Sequence, residues 1–375
     1  MQEALELKSQ GIDVIDLGPG EPDFPTPTSI KEAGIQAVIS DFTKYTPAAG
    51  IKELRTALAE DLNRKWDAHF SASNVIVTCG AKHAIFNVCM TVFERGDEVL
   101  IPCPYWVTFP EVVKMTGAGP VVVETTEANG FALTTDSVEE KLNHRTKGLI
   151  VNTPNNPTGA LIPEQTLEEL VELVRVRDIF LIFDETYEYL TYEGRKHISL
   201  ASSVDPARDS FALVGSFSKT YSMTGWRIGY CVGPAQLIKK MGQLQSHQTG
   251  NPTSISQKAA LEALAGGTRE LELMRLEYEK RRRLVLELID GIPGFRCTPP
   301  YGAFYVFPNV SEAMEKLKIS TSQEFSRFLI QEARVATVPG SAFGIEGYIR
   351  ISYATSVENL RKGFNRIKEA MTVSR

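Results

Sequence analysis

Short apolar runs rich in β-branched residues recur through the middle of the chain, at 75–77, 98–101, 120–123, 148–151, 179–183, 212–214 and 228–232. Between several of them the apolar positions take helical spacing instead, as in EQTLEELVELVRVRD at 164–178. Strands alternating with helices predict a mostly parallel, wound sheet covered on both faces. Residues 258–290 are strongly charged and periodic, which predicts one long helix leading out of that unit. Beyond it, FRCTPPYGAFYVFP, a helix near 322–334 and GYIRISYATS predict a smaller α+β unit packed against the first. The opening MQEALELKSQG reads as a helix already under way, so the natural chain is expected to begin earlier. No repeat, low-complexity segment or long flexible linker interrupts this pattern.

Composition narrows the classes of function. The chain has 375 residues, of which 43% are hydrophobic and 23% charged, as in an ordinary globular enzyme. Its net charge of −6, with no long run of either sign, argues against nucleic acid or an anionic membrane as the main partner. No apolar run approaches the length of a membrane span, and no signal peptide is visible. Cysteines 79, 89, 103, 231 and 297 have no CxxC spacing, so buried reduced thiols and a cytoplasmic location are expected. The five histidines are scattered without metal-ligand spacing, and no metal site is expected. His83 and His197 read as structural residues, and Cys79 and Cys103 as packing residues.

Ligands of an open parallel sheet bind at the carboxyl ends of its strands, so those ends carry the candidate chemistry. After 75–77 comes TCGAKHAIF, a glycine turn opening a helix whose free N–H groups suit a phosphate. After 148–151 comes NTPNNPTG, which holds Asn156 in a proline-stiffened turn. Run 179–183 ends on Asp184, with Tyr187 three residues on, and run 212–214 is followed by Ser216, Ser218 and Lys219, then Arg227. A lysine amine forms a Schiff base with an aldehyde once its pKa falls from about 10.4. Pyridoxal phosphate supplies such an aldehyde, on a ring that serves as an electron sink. Its ring nitrogen needs a carboxylate, met by Asp184, and its phenolate oxygen needs donors, met by Asn156 and Tyr187. Its phosphate needs a helix N-terminus, hydroxyls and a bidentate arginine: Gly80, Ala81 and Lys82, Ser216 and Ser218, and Arg227. Surface loop cations and a helix-capping Asp184 are the bland alternatives, and the grouping at strand ends favours the chemical reading.

Nine segments in order, GEPDF (20–24), KYTPAAG (44–50), GAKHAIFN (80–87), PYWVTFPE (104–111), NNPTG (155–159), DETYEYL (184–190), SFSKTYSMTGWRIGY (216–230), GAFYVF (302–307) and GYIRISYATS (347–356), resemble the class I aminotransferases of fold type I over nearly the whole length. Among these the chain is most similar to the bacterial aspartate aminotransferase branch. The resemblance implies an α/β fold with a large, mostly parallel seven-stranded αβα sandwich domain and a smaller α+β domain. Residues 1–38 would belong to the small domain, 39–270 to the large cofactor-binding domain, and 271–375 to the connecting helix and the rest of the small domain. It implies ping-pong transfer of an amino group from an L-amino acid to a 2-oxo acid such as 2-oxoglutarate. Lys219 would carry the cofactor and shuttle the proton, Asp184 would pair with the ring nitrogen, Tyr187 would bond the phenolate oxygen and Trp106 would stack on the ring. Arg350 would grip the substrate α-carboxylate with help from Asn156 and the Gly20 backbone. Tyr45 would reach the partner subunit's phosphate across a homodimer interface.

Lys82 opposes the dipole of the helix it opens, a cost of about 0.3–1 kcal/mol at an exposed site that a nearby anion removes. In the branch that this chain resembles, a lysine here helps read an acidic substrate side chain, so aspartate or another dicarboxylic amino acid is the expected donor. The same branch usually has a hydroxyl residue before GEPDF, where this chain has Gly18-Pro19. Other specificities, toward prephenate, aromatic or neutral amino acids, therefore stay open, as does a carbon–sulfur β-lyase or an aminocyclopropane-forming synthase built on the same residues. A ligand-sensing regulator would need a basic DNA-binding module, for which the sequence offers no segment.

Overall fold

The computed structural model describes residues 6–373 apart from Lys8. Of the expected N-terminal helix, Glu6, Leu7 and Ser9 are helical and the remaining early positions lie outside the described residues. The centre is a seven-stranded sheet of β2 (Val75–Thr78), β3 (Glu98–Cys103), β4 (Gly119–Glu124), β5 (Thr146–Asn152), β6 (Phe180–Asp184), β7 (Phe211–Ser216) and β8 (Gly229–Val232). Their spatial order is β2-β8-β7-β6-β5-β3-β4, and all neighbours are parallel except β8, which runs antiparallel to both β2 and β7.

Alternation along the inner strands explains why their runs are apolar throughout. Val75, Val77, Leu149, Val151, Leu181, Phe183 and Leu213 enter the core on one side of the sheet. Their neighbours Ile76, Ile150, Ile182, Ala212 and Val214 enter the core on the other. A strand buried on both faces has no position for a polar side chain until it reaches its end. The polar residues consequently collect at the carboxyl edge.

A second core lies beside the sheet. It joins Ile15 and Leu17 to residues between Tyr278 and Ile367, and takes in Tyr187, Leu190 and Tyr192 from the loop after β6. Strand β1 (Ile15–Asp16) pairs in parallel with β10 (Val335–Ala336), while β11 (Val338–Pro339), β12 (Ile349–Ser352) and β9 (Tyr305–Val306) form an antiparallel sheet in that order. This crossing brings the start of the chain against its last third and carries Gly18 and Gly20 to the edge of the large sheet.

One expectation is corrected. Residues 258–290 are not one helix but parts of two, Ser254–Ala265 and Arg269–Asp290. Gly266 and Gly267 separate them, and Gly266 is extended with ψ 166°. Glycine costs about 1 kcal/mol relative to alanine inside a helix, and two in succession favour a break. Helix-forming residues on both flanks conceal it, because the sequence reads as helical up to the glycines and again beyond them.

Candidate active site

The carboxyl edge of the sheet and the β9–β12 face enclose a cavity of about 290 Å³. At one end, β2 runs into Gly80 and the helix Ala81–Val92. Gly80 has φ +91°, and a Cβ there would lie 2.6 Å from Arg227 Nη2. A Cβ on Gly229 would lie 2.7 Å from the Ala81 nitrogen. Both glycines therefore let the guanidinium and the helix start approach closely. Arg227 itself is left-handed (φ 51°) and donates through Nη1 to the Thr224 carbonyl at 2.8 Å and through Nη2 to that of Cys79 at 3.4 Å. Ser216 ends β7 and accepts the Ser218 N–H at 3.1 Å, which fixes two buried hydroxyls beside the helix start. Hydroxyls, free N–H groups and a guanidinium converge here, an anion cradle by composition.

Lys219 follows on a single helical turn, Phe217–Thr220, and its half-buried amine donates to the Gly20 carbonyl. Burial lowers its pKa to about 8; the Glu21 carboxylate opposes this, and the Arg350 and Arg227 cations reinforce it. Burial, rather than the two arginines, is thus the main reason the amine titrates early.

Asp184 ends β6 on the cavity floor, 3% exposed. Its Oδ1 accepts the Thr186 N–H at 3.0 Å, within a turn rather than at a helix start. Burial raises its pKa to about 6 against the effect of that bond. Asn152, at the end of β5, accepts the Asn156 N–H at 2.8 Å and donates to the Asp184 carbonyl at 3.0 Å, so neighbouring strand ends are tied together.

Arg350, on β12, is 8% exposed and donates to Asn156 Oδ1 at 2.9 Å and to the Gly18 carbonyl at 2.7 Å. Because a guanidinium only donates, it sets the Asn156 amide with Oδ1 toward the arginine, leaving Nδ2 as the free donor. Arg350 Nε is buried and has no hydrogen-bond partner among the described residues. The Tyr187 and Tyr305 hydroxyls are 2.6 Å apart, and burial raises the Tyr187 pKa well above its ordinary value.

Gly20, Ala81, Lys82, Trp106, Asn156, Asp184, Tyr187, Ser216, Ser218, Lys219, Arg227 and Arg350 all line this one cavity, and Gly80 adjoins it. Tyr45 does not; it is 95% exposed and lies outside the lining of this cavity. Trp106 stands at the rim, with Lys82 Nζ 5.1 Å from its ring centre. Sequence reasoning missed Tyr305, Asn152, Thr186 and Thr224, which also line the cavity. Tyr305 lay within GAFYVF, but nothing local distinguishes its hydroxyl from that of a core tyrosine. Asn152 ends an apolar run immediately before TPNNPTG, and its position at a strand end was the available signal. The residues read as structural or packing behave differently from the cavity set: Cys103 is buried, and His83 Nδ1 accepts the Cys79 N–H at 3.2 Å.

The fold, with its crevice at the carboxyl ends of a wound sheet, is that of a fold type I transferase. Residues 12–367 match the family model for aminotransferase class I and II, and the chain belongs to this family of enzymes. It is 43% identical to an aspartate aminotransferase of Bacillus subtilis (strain 168), over 97% of this chain and 93% of that protein. It is 45% identical to a probable aspartate/prephenate aminotransferase of Aquifex aeolicus (strain VF5), over 98% and 93%. Among solved structures, the aspartate aminotransferase from Thermus thermophilus with maleate superposes with a TM-score of 0.92 at 41% identity, covering 98% of this chain and 94% of that one.

Membership implies pyridoxal phosphate, and the residues present fit it. The cavity has a donor-lined anion end that added Cβ atoms at Gly80 or Gly229 would fill. It also has a buried carboxylate and an amide nitrogen that, among the described residues, have no cationic partner and no acceptor respectively, and an early-titrating amine.

Proposed function

We propose that this enzyme transfers the amino group of aspartate, or of another dicarboxylic amino acid, to a 2-oxo acid such as 2-oxoglutarate, using pyridoxal phosphate. The observation that carries the reading is the Lys219 amine, held at the Gly20 carbonyl within the cavity that also holds Asp184 and Arg350. When bound, the cofactor supplies an aldehyde and a ring that accepts the electron pair of a substrate α-carbon bond.

Each residue then has a task that its surroundings suit. Lys219 would bind the aldehyde and hold or move a proton at the substrate α-carbon, a task that suits a buried amine whose hold on its proton is weakened. Asp184 holds the proton on the ring nitrogen. Asn156 Nδ2 and the Tyr187 hydroxyl donate to the phenolate oxygen. Gly80, Ala81, Lys82, Ser216, Ser218 and Arg227 form the phosphate cradle, and Trp106 covers the ring. Arg350 orients the substrate α-carboxylate, with Asn156 and Gly20 beside it. Lys82 stands at the rim over Trp106, where a substrate's second carboxylate would meet it. Gly18 contributes its main-chain carbonyl to Arg350, so the segment before GEPDF adjoins the carboxylate arm.

The exposed Tyr45 suits a homodimer in which it completes the partner's phosphate site. On this reading the chain divides into a large cofactor domain over 39–270 and a small domain from 1–38 and 271–375, led in by the helix Arg269–Asp290; the two cores follow this division except that Ile30 packs into the large one and Tyr187, Leu190 and Tyr192 into the small one. Five free cysteines favour the cytoplasm.

The test is the visible spectrum of the purified protein before and after excess L-aspartate. A yellow band that bleaches on adding aspartate is expected, with its return on adding 2-oxoglutarate. A band that persists would refute aspartate as the donor, and one that also persists with L-glutamate would refute the dicarboxylic reading. Absence of any band after adding pyridoxal phosphate would overturn the assignment of Lys219. Some relatives are named aspartate/prephenate aminotransferases, so prephenate belongs among the acceptors assayed.

A further inference from the structure

Tyr305 has no role in the account above, yet it is the side chain through which two parts of the site meet. It lies on β9 opposite Ser352 of β12, and Arg350 is two residues before Ser352, so both side chains emerge on the same face of that small sheet. The Arg350 guanidinium sits 4.3 Å from the Tyr305 ring centre. At the other end, the Tyr305 hydroxyl is 2.6 Å from that of Tyr187, which belongs to the loop after β6 of the large sheet. Tyr305 is 1% exposed, and a Cβ on Gly20 would run into its hydroxyl, so its hydroxyl end is packed closely against Gly20.

We infer that Tyr305 is a positioning residue that couples the carboxylate-binding arm to the cofactor-binding arm: its ring supports Arg350 and its hydroxyl donates to Tyr187. The inference rests on the functional reading above. Its direction follows from counting protons. Tyr187 has a single O–H, and if that proton goes to the cofactor's phenolate oxygen, the short contact between the two tyrosines can be made only by the Tyr305 proton. A phenol that accepts a hydrogen bond is a stronger donor in turn, so Tyr305 strengthens the bond that Tyr187 makes. The ring holds the guanidinium by a cation–π contact in a water-poor site, where such contacts count most.

The two functions separate in two variants of the cofactor-loaded enzyme. Tyr305→Phe keeps the ring and the packing but loses the hydroxyl. A phenolate with a weaker donor holds the proton on the linkage to Lys219 more tightly. The pH midpoint of the visible band is therefore expected to rise by about 0.3–1 pH unit, the scale of one neutral hydrogen bond. Succinate, an unreactive dicarboxylate probe for Arg350, should bind this variant within about twofold of wild type, because the cation–π contact survives. Tyr305→Leu should weaken succinate binding by about threefold or more, as the ring is lost. In a Tyr187→Phe background, Tyr305→Phe should leave the midpoint where Tyr187→Phe alone puts it, since the effect runs through Tyr187.

A midpoint unmoved by Tyr305→Phe, or a shift of the same size in both backgrounds, would overturn the coupling to Tyr187. Unchanged succinate binding in Tyr305→Leu would overturn the support of Arg350. Either result with a normal wild-type band would leave the aminotransferase reading standing. A wild-type protein that develops no band would overturn that reading and this inference with it.

Discussion

Lys219→Met is expected to destroy transamination and at the same time to stabilise the protein when no cofactor is bound. Burial lowers the lysine pKa from 10.5 to about 8, so the fold opposes the charged amine. At about 1.4 kcal/mol per pH unit this corresponds to about 3 kcal/mol against the folded state wherever the amine is charged in both states. The side chain is half-buried rather than sealed, and methionine forfeits the bond to the Gly20 carbonyl, so the net gain is about 2 kcal/mol. For a chain of this length that raises the melting temperature by about 2–3 °C.

The pH dependence distinguishes this cause from better packing. A folded pKa below the unfolded one means that the unfolded chain binds more protons between pH 8 and 10.5, so wild-type stability rises through that window. The advantage of Lys219→Met is therefore full below about pH 8 and fades toward pH 10.5. The assay is a pair of thermal melts of cofactor-free wild type and variant at equal protein concentration, repeated across that range. A variant less stable than wild type at neutral pH, or an advantage that does not shrink with rising pH, would refute the reasoning.

Arg350→Ala removes a buried cation and leaves Asn156 Oδ1 and the Gly18 carbonyl without their donor; kcat/KM for aspartate should fall by about 10²–10³-fold, measured by coupled assay at saturating cofactor. Lys82→Ala should lower kcat/KM for aspartate by a larger factor than for alanine, and equal factors would remove Lys82 from substrate selection. Gly80→Ala strains a left-handed position and drives a methyl toward Arg227; cofactor affinity should drop by about tenfold or more, read by fluorescence titration. Burial brings the free Asp184 carboxyl to a pKa of about 6. Affinity for pyridoxal phosphate should therefore fall as pH drops below that value, and the limb assigned to Asp184 should vanish in Asp184→Asn.

The sheet and the polar residues at its edge were legible in the sequence for one physical reason. Strands covered on both faces are apolar without interruption, so each strand end is marked by the first polar residue after the run, as at Asp184, Asn152 and Ser216. The order of nine motifs added the family to that reading, and the chemistry of an amine, a carboxylate, an amide, a phenol and one arginine at strand ends had already pointed to the cofactor. Local pattern failed where a break was hidden between two similar helices, at Gly266 and Gly267. It could not supply contacts between residues far apart in the chain. That Arg350 turns the Asn156 amide, that Gly20 leaves space only for the Tyr305 hydroxyl, and that Tyr305 meets Tyr187 follow from β9 and β12 folding over the edge of the large sheet. The lowered pKa of Lys219 is of the same kind. A lysine in a sequence carries its ordinary affinity for a proton, and the surrounding protein, by excluding water from the amine, changes it.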